Sequence, residues 1–248
     1  MTDTIVVVNK SSLPDSQVSA PVPAAQAQVD DDFAPMWGIH AHILFASANE
    51  ALDPAWWPLY VYDRTDTPGA GGYHTDDQGR VSGKVFALDA IEGGEAWTVD
   101  LTHELLEMLG DPTAGTDPSA MINLTGQYAG LQCLPEACDA VEADGLAYSK
   151  GTPGSVVRVM VSDFVLPQYF FRPPVTSPAW PTGAPMAYDF IGHLTSGPAP
   201  TLLYGGYLGI FDPRTASWSQ VSMFDKAGRH SRRSQRHGRT AWRASKPL

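Results

Sequence analysis

The stretch Trp97 to Pro112, WTVDLTHELLEMLGDP, constrains this chain most. Leu101, Leu105, Met108 and Leu109 recur at i, i+4, i+7 and i+8, the spacing of one apolar stripe on a helix. Asp100, His103, Glu104 and Glu107 recur at i, i+3, i+4 and i+7 on the other side. Thr98 or Asp100 is placed to cap the start, and Gly110 with Asp111-Pro112 to end it. The polar side contains no Lys or Arg, so nothing local offsets its carboxylates. A metal ion would do so, and an imidazole and a carboxylate at i and i+4 share one helical face.

A second acidic run follows at 133–145, CLPEACDAVEADG, which packs Glu136, Asp139, Glu142 and Asp144 together. It reads either as a solvated loop or as a flap that folds over the ion and adds oxygen ligands. Asp111, just past the helix, is a further candidate ligand.

The helix resembles the active-site helix of zincin metallopeptidases, whose motif is His-Glu-x-x-His. Here it stands as His103-Glu104-Leu105-Leu106-Glu107, with Glu107 in place of the second histidine. Gly110 stands where the metzincin branch has its glycine, and Thr113 where that branch has its third ligand. The segment is also similar to uncharacterised bacterial and phage proteins with a His-Glu-x-Leu-Glu-Met-Leu-x-Asp-Pro core. The zincin resemblance implies His103 and Glu107 as zinc ligands and Glu104 as the general base that takes a proton from a zinc-held water. It implies a third ligand from beyond the helix, for which Asp139 and Glu142 are the candidates. It makes Val81 to Leu88 the strand bordering the cleft, and lets His74 reach that cleft as a second catalytic group. Met186-Ala187-Tyr188 stands where a metzincin Met-turn is sought; Met186 is read as core and Tyr188 as a distant oxyanion candidate.

The ligand chemistry leaves the metal open. One imidazole with two or three carboxylates suits calcium or manganese as well as zinc. The excess negative charge also raises the pKa of any bound water. Two functions follow: a metal-dependent peptidase acting on a protein or peptide substrate, or a non-catalytic structural protein of a virion or other assembly, in which the ion serves stability and neighbouring subunits are the partners.

Charge is uneven along the 248 residues. Eight of the 16 Lys and Arg lie from Lys226 onward with no acidic residue among them, so the 27 acidic residues precede them against the other eight. An acidic body disfavours nucleic acid, while the basic tail suits an acidic surface or nucleic acid. Thr4 to Val8 is too short for the apolar core of a signal peptide, and no apolar run reaches membrane-spanning length. The expectation is a cytoplasmic chain, or one carried in an assembly formed there, with no membrane contact. Cys133 and Cys138 are not taken as a disulfide.

The expected fold is α+β: a zincin-like mixed twisted sheet packed on the active-site helix, with long Pro/Gly loops. Residues 1–32 read as an N-terminal strand (Thr4 to Asn9, at an edge) and an extended arm, 33–225 as the metal-binding domain, and 226–248 as a basic tail. Strands are expected at Met36 to Ala46, Pro58 to Asp63, Val81 to Leu88 and Ser155 to Val165, and a hairpin at Leu202 to Phe211 around Gly205-Gly206. Tyr73 to Arg80 reads as a turn. His40 and His42 share a strand face, read as packed under a helix rather than as a metal pair.

Overall fold

Strand β1 (Asp3–Asn9) carries the run Ile5-Val6-Val7-Val8, buried on both faces. A strand apolar on successive residues belongs inside a sheet covered on both sides, not at its rim. In the computed structural model of the chain, which describes residues 2–152, 154, 157–171, 187–197 and 199–223, β1 lies between two parallel neighbours. The five-stranded sheet has the order β2-β1-β3-β5-β4, with β2 (Ala41–Ala46), β3 (Trp57–Tyr62), β4 (Gly72–Asp77) and β5 (Arg80–Phe86). Its first four strands are parallel, and β4 runs antiparallel to β5 at the far edge. The expected edge position of β1 is therefore corrected.

The segment after β1 is helical rather than an extended arm: α1 (Asp15–Ser19), α2 (Val22–Gln28), a π turn (Val29–Phe33) and α3 (Ala34–Trp37). Val18, Val22, Ala25 and Val29 recur at helical spacing and are all buried in the main core. Pro21 and Pro23 do not oppose this, because they fall at the start of α2, where a proline costs no hydrogen bond. The strand expected from Met36 begins only at Ala41, since Gly38, at φ 70°, closes α3. His40 and His42 are exposed on this edge, not packed under a helix.

The central helix forms as expected. After α4 (Ala87–Glu92), α5 spans Trp97–Gly110 and lies across β5, β4 and β3. Leu101, Leu105, Leu106 and Met108 are fully buried against Leu59 and Val85 in the main core. Each such side chain contributes about 1.5–3 kcal/mol of burial. The cap differs: the N-cap is Ala96, while Thr98 Oγ1 donates to Met160 O at 2.7 Å. Gly110 still belongs to the helix, and a Cβ there would stand 3.4 Å from Pro135 O, so a small residue lets the 135–137 segment approach.

A second, antiparallel sheet has the order β11-β10-β7-β6, from β6 (Ile122–Asn123), β7 (Gln132–Cys133), β10 (Tyr207–Asp212) and β11 (Ser217–Ser222). It packs with Tyr169, Phe170, Leu194 and Leu202 in a core of its own. Trp37 touches both cores and its Nε1 donates to Val165 O at 3.0 Å. Strands β8 (Tyr148–Gly151) and β9 (Arg158–Val161) pair separately, so only part of Ser155 to Val165 is strand. The architecture is mixed α+β.

The hairpin turn lies between Asp212 and Ser217, not at Gly205-Gly206. Gly206 has a different task. A Cβ there would meet Ala140 O at 2.2 Å and Ala140 C at 2.6 Å. Both are backbone atoms, so the 139–141 turn would have to move. Gly206→Ala is expected to lower stability by about 1–3 kcal/mol, measured by urea unfolding.

Arg172 to Pro185, Met186 and the tail 226–248 lie outside the described residues. Among the described residues, no helix is long and apolar enough to cross a membrane.

Candidate metal centre

The polar side of α5 is buried, not solvated. His103 is 6 % exposed, Glu104 3 % and Glu107 0 %. The segment 133–142, with its 3-10 turn at Asp139–Val141, lies against His103 and Glu107, while Glu104 lies against Gly72 and His74 of β4. Pairing of β7 with β10 and β6, and the Gly206 contact, hold that segment down. The acidic loop is therefore the lid of the helix face, and Glu136, Asp139 and Glu142 are buried with it.

His103 Nε2 stands 3.2 Å from Glu107 Oε1 and 3.3 Å from Asp139 Oδ1. One nitrogen carries at most one proton, yet two carboxylates from two elements converge on it. Two ligands of one zinc ion at tetrahedral angles stand about 3.4 Å apart, from bond lengths near 2.1 Å. Each of the two separations from His103 is near that spacing, while Asp139 belongs to none of the groups whose donor atoms all lie within 4.8 Å of one another. Cys138 belongs here too: His103, Glu107 and Cys138 form one of three groups whose donor atoms lie within 4.8 Å of one another. The Cys138 amide also donates to Glu107 Oε1 at 3.3 Å, which orients that carboxylate.

The other two groups centre on His74: His74 with Glu104 and Glu107, and His74 with Asp111 and Glu136. His74 is not in a turn but on β4, paired with Gly83 and buried. The turn is shorter than expected, only Gln78-Gly79, because the Tyr73 to Asp77 half pairs fully with β5. Its ring Nε2 lies 2.9 Å from Asp111 O and its Nδ1 3.8 Å from Glu104 Oε2. A carbonyl only accepts, so Nε2 carries the proton, and Nδ1 faces Glu104. Gly72 makes room here: a Cβ would stand 2.6 Å from Glu104 Cγ.

The expected residues thus divide. His103, Glu107 and Asp139 meet at one nitrogen, with Glu104 one group over beside His74. Asp111 joins His74 and Glu136 instead, and its Oδ1 accepts from Thr113 Oγ1 at 2.7 Å. Glu142 is buried just past the 3-10 turn and joins none of these groups. Tyr188 packs on the second core. Glu136 enters the sequence reading only as a member of the acidic run, and Cys138 only as a cysteine not taken to be paired; the local signal for both is adjacency to Asp139 in that run. Both cysteines are free and buried.

Charge balance shapes the site. Arg64, Lys84, Lys150 and Arg214 pair elsewhere, with Glu92, Asp66, Asp32 and Asp212. Burial opposes charge on His103, but the Glu107 carboxylate and the hydrogen bonds that His103 donates to Asp139 and Glu107 outweigh it, so the pKa is raised well above its ordinary value. Burial and then the Glu107 charge push the Cys138 thiol up. Without an ion, a proton on His103 is the counter-charge. An ion would take that place and favour the thiolate.

No family model, curated protein or solved structure matches the chain.

Proposed function

We propose that this chain is a metal-dependent hydrolase of the peptidase type, with one divalent ion, most suitably zinc, held by His103, Glu107 and the Cys138-Asp139 corner. The observation that carries the reading is the convergence of Glu107 and Asp139 on His103 Nε2 at 3.2 and 3.3 Å. The donor set fits: an imidazole, two carboxylates and a thiol are nitrogen, oxygen and sulfur ligands that zinc accepts together. When bound, the ion would polarise a peptide carbonyl and acidify a water. Glu104 is the base: it takes the proton from the attacking water and returns it to the leaving amine. His74 stands beside that carboxylate, Nδ1 3.8 Å from Glu104 Oε2. β4 is the sheet edge nearest the site and is where an extended peptide would align, rather than β5, which is paired on both sides.

One observation favours a second reading. Every group of the cluster is at least nine-tenths buried, which suits an ion that ties α5 to the 133–142 lid and serves stability in a structural protein of an assembly. Glu104→Gln separates the two. In the peptidase, cleavage of a casein or peptide-library substrate falls by at least 100-fold while elemental analysis still finds the His103 ion. No cleavage by the wild type, with an ion present, leaves the stability reading.

A further inference from the structure

The chemistry around His74 is a second convergence of donors, and it shares a residue with the first. His74, Glu104 and Glu107 offer ligand atoms within 4.8 Å of one another, all buried. The ring is aimed: Nε2–H donates to Asp111 O at 2.9 Å, so Nδ1 presents its lone pair toward Glu104. A histidine ligand held from behind by a backbone carbonyl is the usual way a protein fixes the tautomer that binds metal. The 3.8 Å from Nδ1 to Glu104 Oε2 is the separation of two ligands about 2.1 Å from a common ion at an angle of about 130°. Glu107 has two carboxylate oxygens. One lies against His103 Nε2 and the Cys138 amide, and the residue also completes the His74 group.

We propose that the chain holds two divalent ions bridged by the Glu107 carboxylate, the second ligated by His74 Nδ1 and Glu104. This rests on the reading of the His103 group only through Glu107. Two ions also answer the charge of the region better than one: Glu104, Glu107, Asp111, Glu136 and Asp139 crowd against two imidazoles. The donors are nitrogen and oxygen, which suits zinc, manganese or ferrous iron. Glu104 is the base with the first ion alone and a ligand once the second is loaded.

The test is a zinc titration of the full chain, stripped of metal and carrying His40→Ala and His42→Ala, which remove the exposed strand pair. Bound zinc is counted by equilibrium dialysis and elemental analysis. Two ions per chain are expected, falling to one in His74→Gln and in Glu104→Gln. The His74→Gln amide keeps a donor for Asp111 O, and circular dichroism confirms that each variant is folded. His103→Gln keeps one ion, and Glu107→Ala weakens both by at least tenfold. One ion in the parent chain, lost in His103→Gln but kept in His74→Gln, overturns the second site and leaves the first. Two ions unaffected by His74→Gln also overturn it. No bound zinc overturns both.

Discussion

Excess EDTA at pH 8 is expected to lower the melting temperature of the full chain by roughly 5–10 °C. An ion present at about a hundred times its dissociation constant stabilises the folded state by about 2.7 kcal/mol. Each kcal/mol moves the midpoint of a chain this size by about 2–4 °C. The effect depends on pH in a fixed direction. In the metal-free protein, His103 has a pKa raised above its unfolded value, because the Glu107 charge and its hydrogen bonds outweigh burial. The stability that this group contributes is full below about pH 6.5 and is lost as pH rises through the folded value. Ion binding must displace the same proton, and the Cys138 thiol proton as well where its sulfur is a ligand, so metal affinity climbs at least about tenfold per pH unit until that value is passed. The midpoints with and without EDTA therefore draw apart as pH rises. Differential scanning calorimetry between pH 5.5 and 8.5 reads both. Midpoints that coincide across the range would remove the ion from the account of this protein.

Leu105→Ala is expected to destabilise the chain by about 2–5 kcal/mol, or roughly 5–15 °C. Leu105 is fully buried on the side of α5 that faces the five-stranded sheet, in one cluster with Leu59, Val85, Leu101 and Met108. The space around it does not collapse easily. A Cβ at Gly83 would already stand 2.6 Å from Leu59 Cδ1 and 3.0 Å from Met108 Sδ, so helix and sheet are in close contact here. Loss of three heavy atoms leaves a cavity as well as lost burial. The same helix carries the site on its other side, so the variant should also weaken zinc binding. Leu44→Ala, at a residue 39 % exposed on the edge strand β2, is the control and should stay within about 0.5 kcal/mol. Equal losses in the two variants would mean that α5 is not the central support of the fold.

The parts of the fold that could be read beforehand are those in which one local period decides the answer. Strand β3 (Trp57–Tyr62) and strand β5 (Arg80–Phe86) fall within two residues of their expected bounds, and α5 within two of its stop. The helices at 15–37 are hard to read from sequence because prolines and small residues surround Val18, Val22, Ala25 and Val29, whose helical spacing is the one local sign of them. The β1 run of four apolar residues fits an interior parallel strand covered on both faces, not the edge position expected of it. The hairpin turn was misplaced because Gly206 is needed for a close approach to Ala140, not for a bend.

The amino-acid order alone settled that residues 97–110 would be a two-sided helix with His103, Glu104 and Glu107 on one side, since 3.6 residues per turn leaves no other arrangement. It could not say what that side would face. Only chain closure brought Cys138 and Asp139, more than thirty positions away, against His103, and turned His74 on β4 toward Glu104. A helical period is a property of neighbours along the backbone. The meeting of charges here is a property of how two sheets and a lid close over one helix, and no local spacing encodes it.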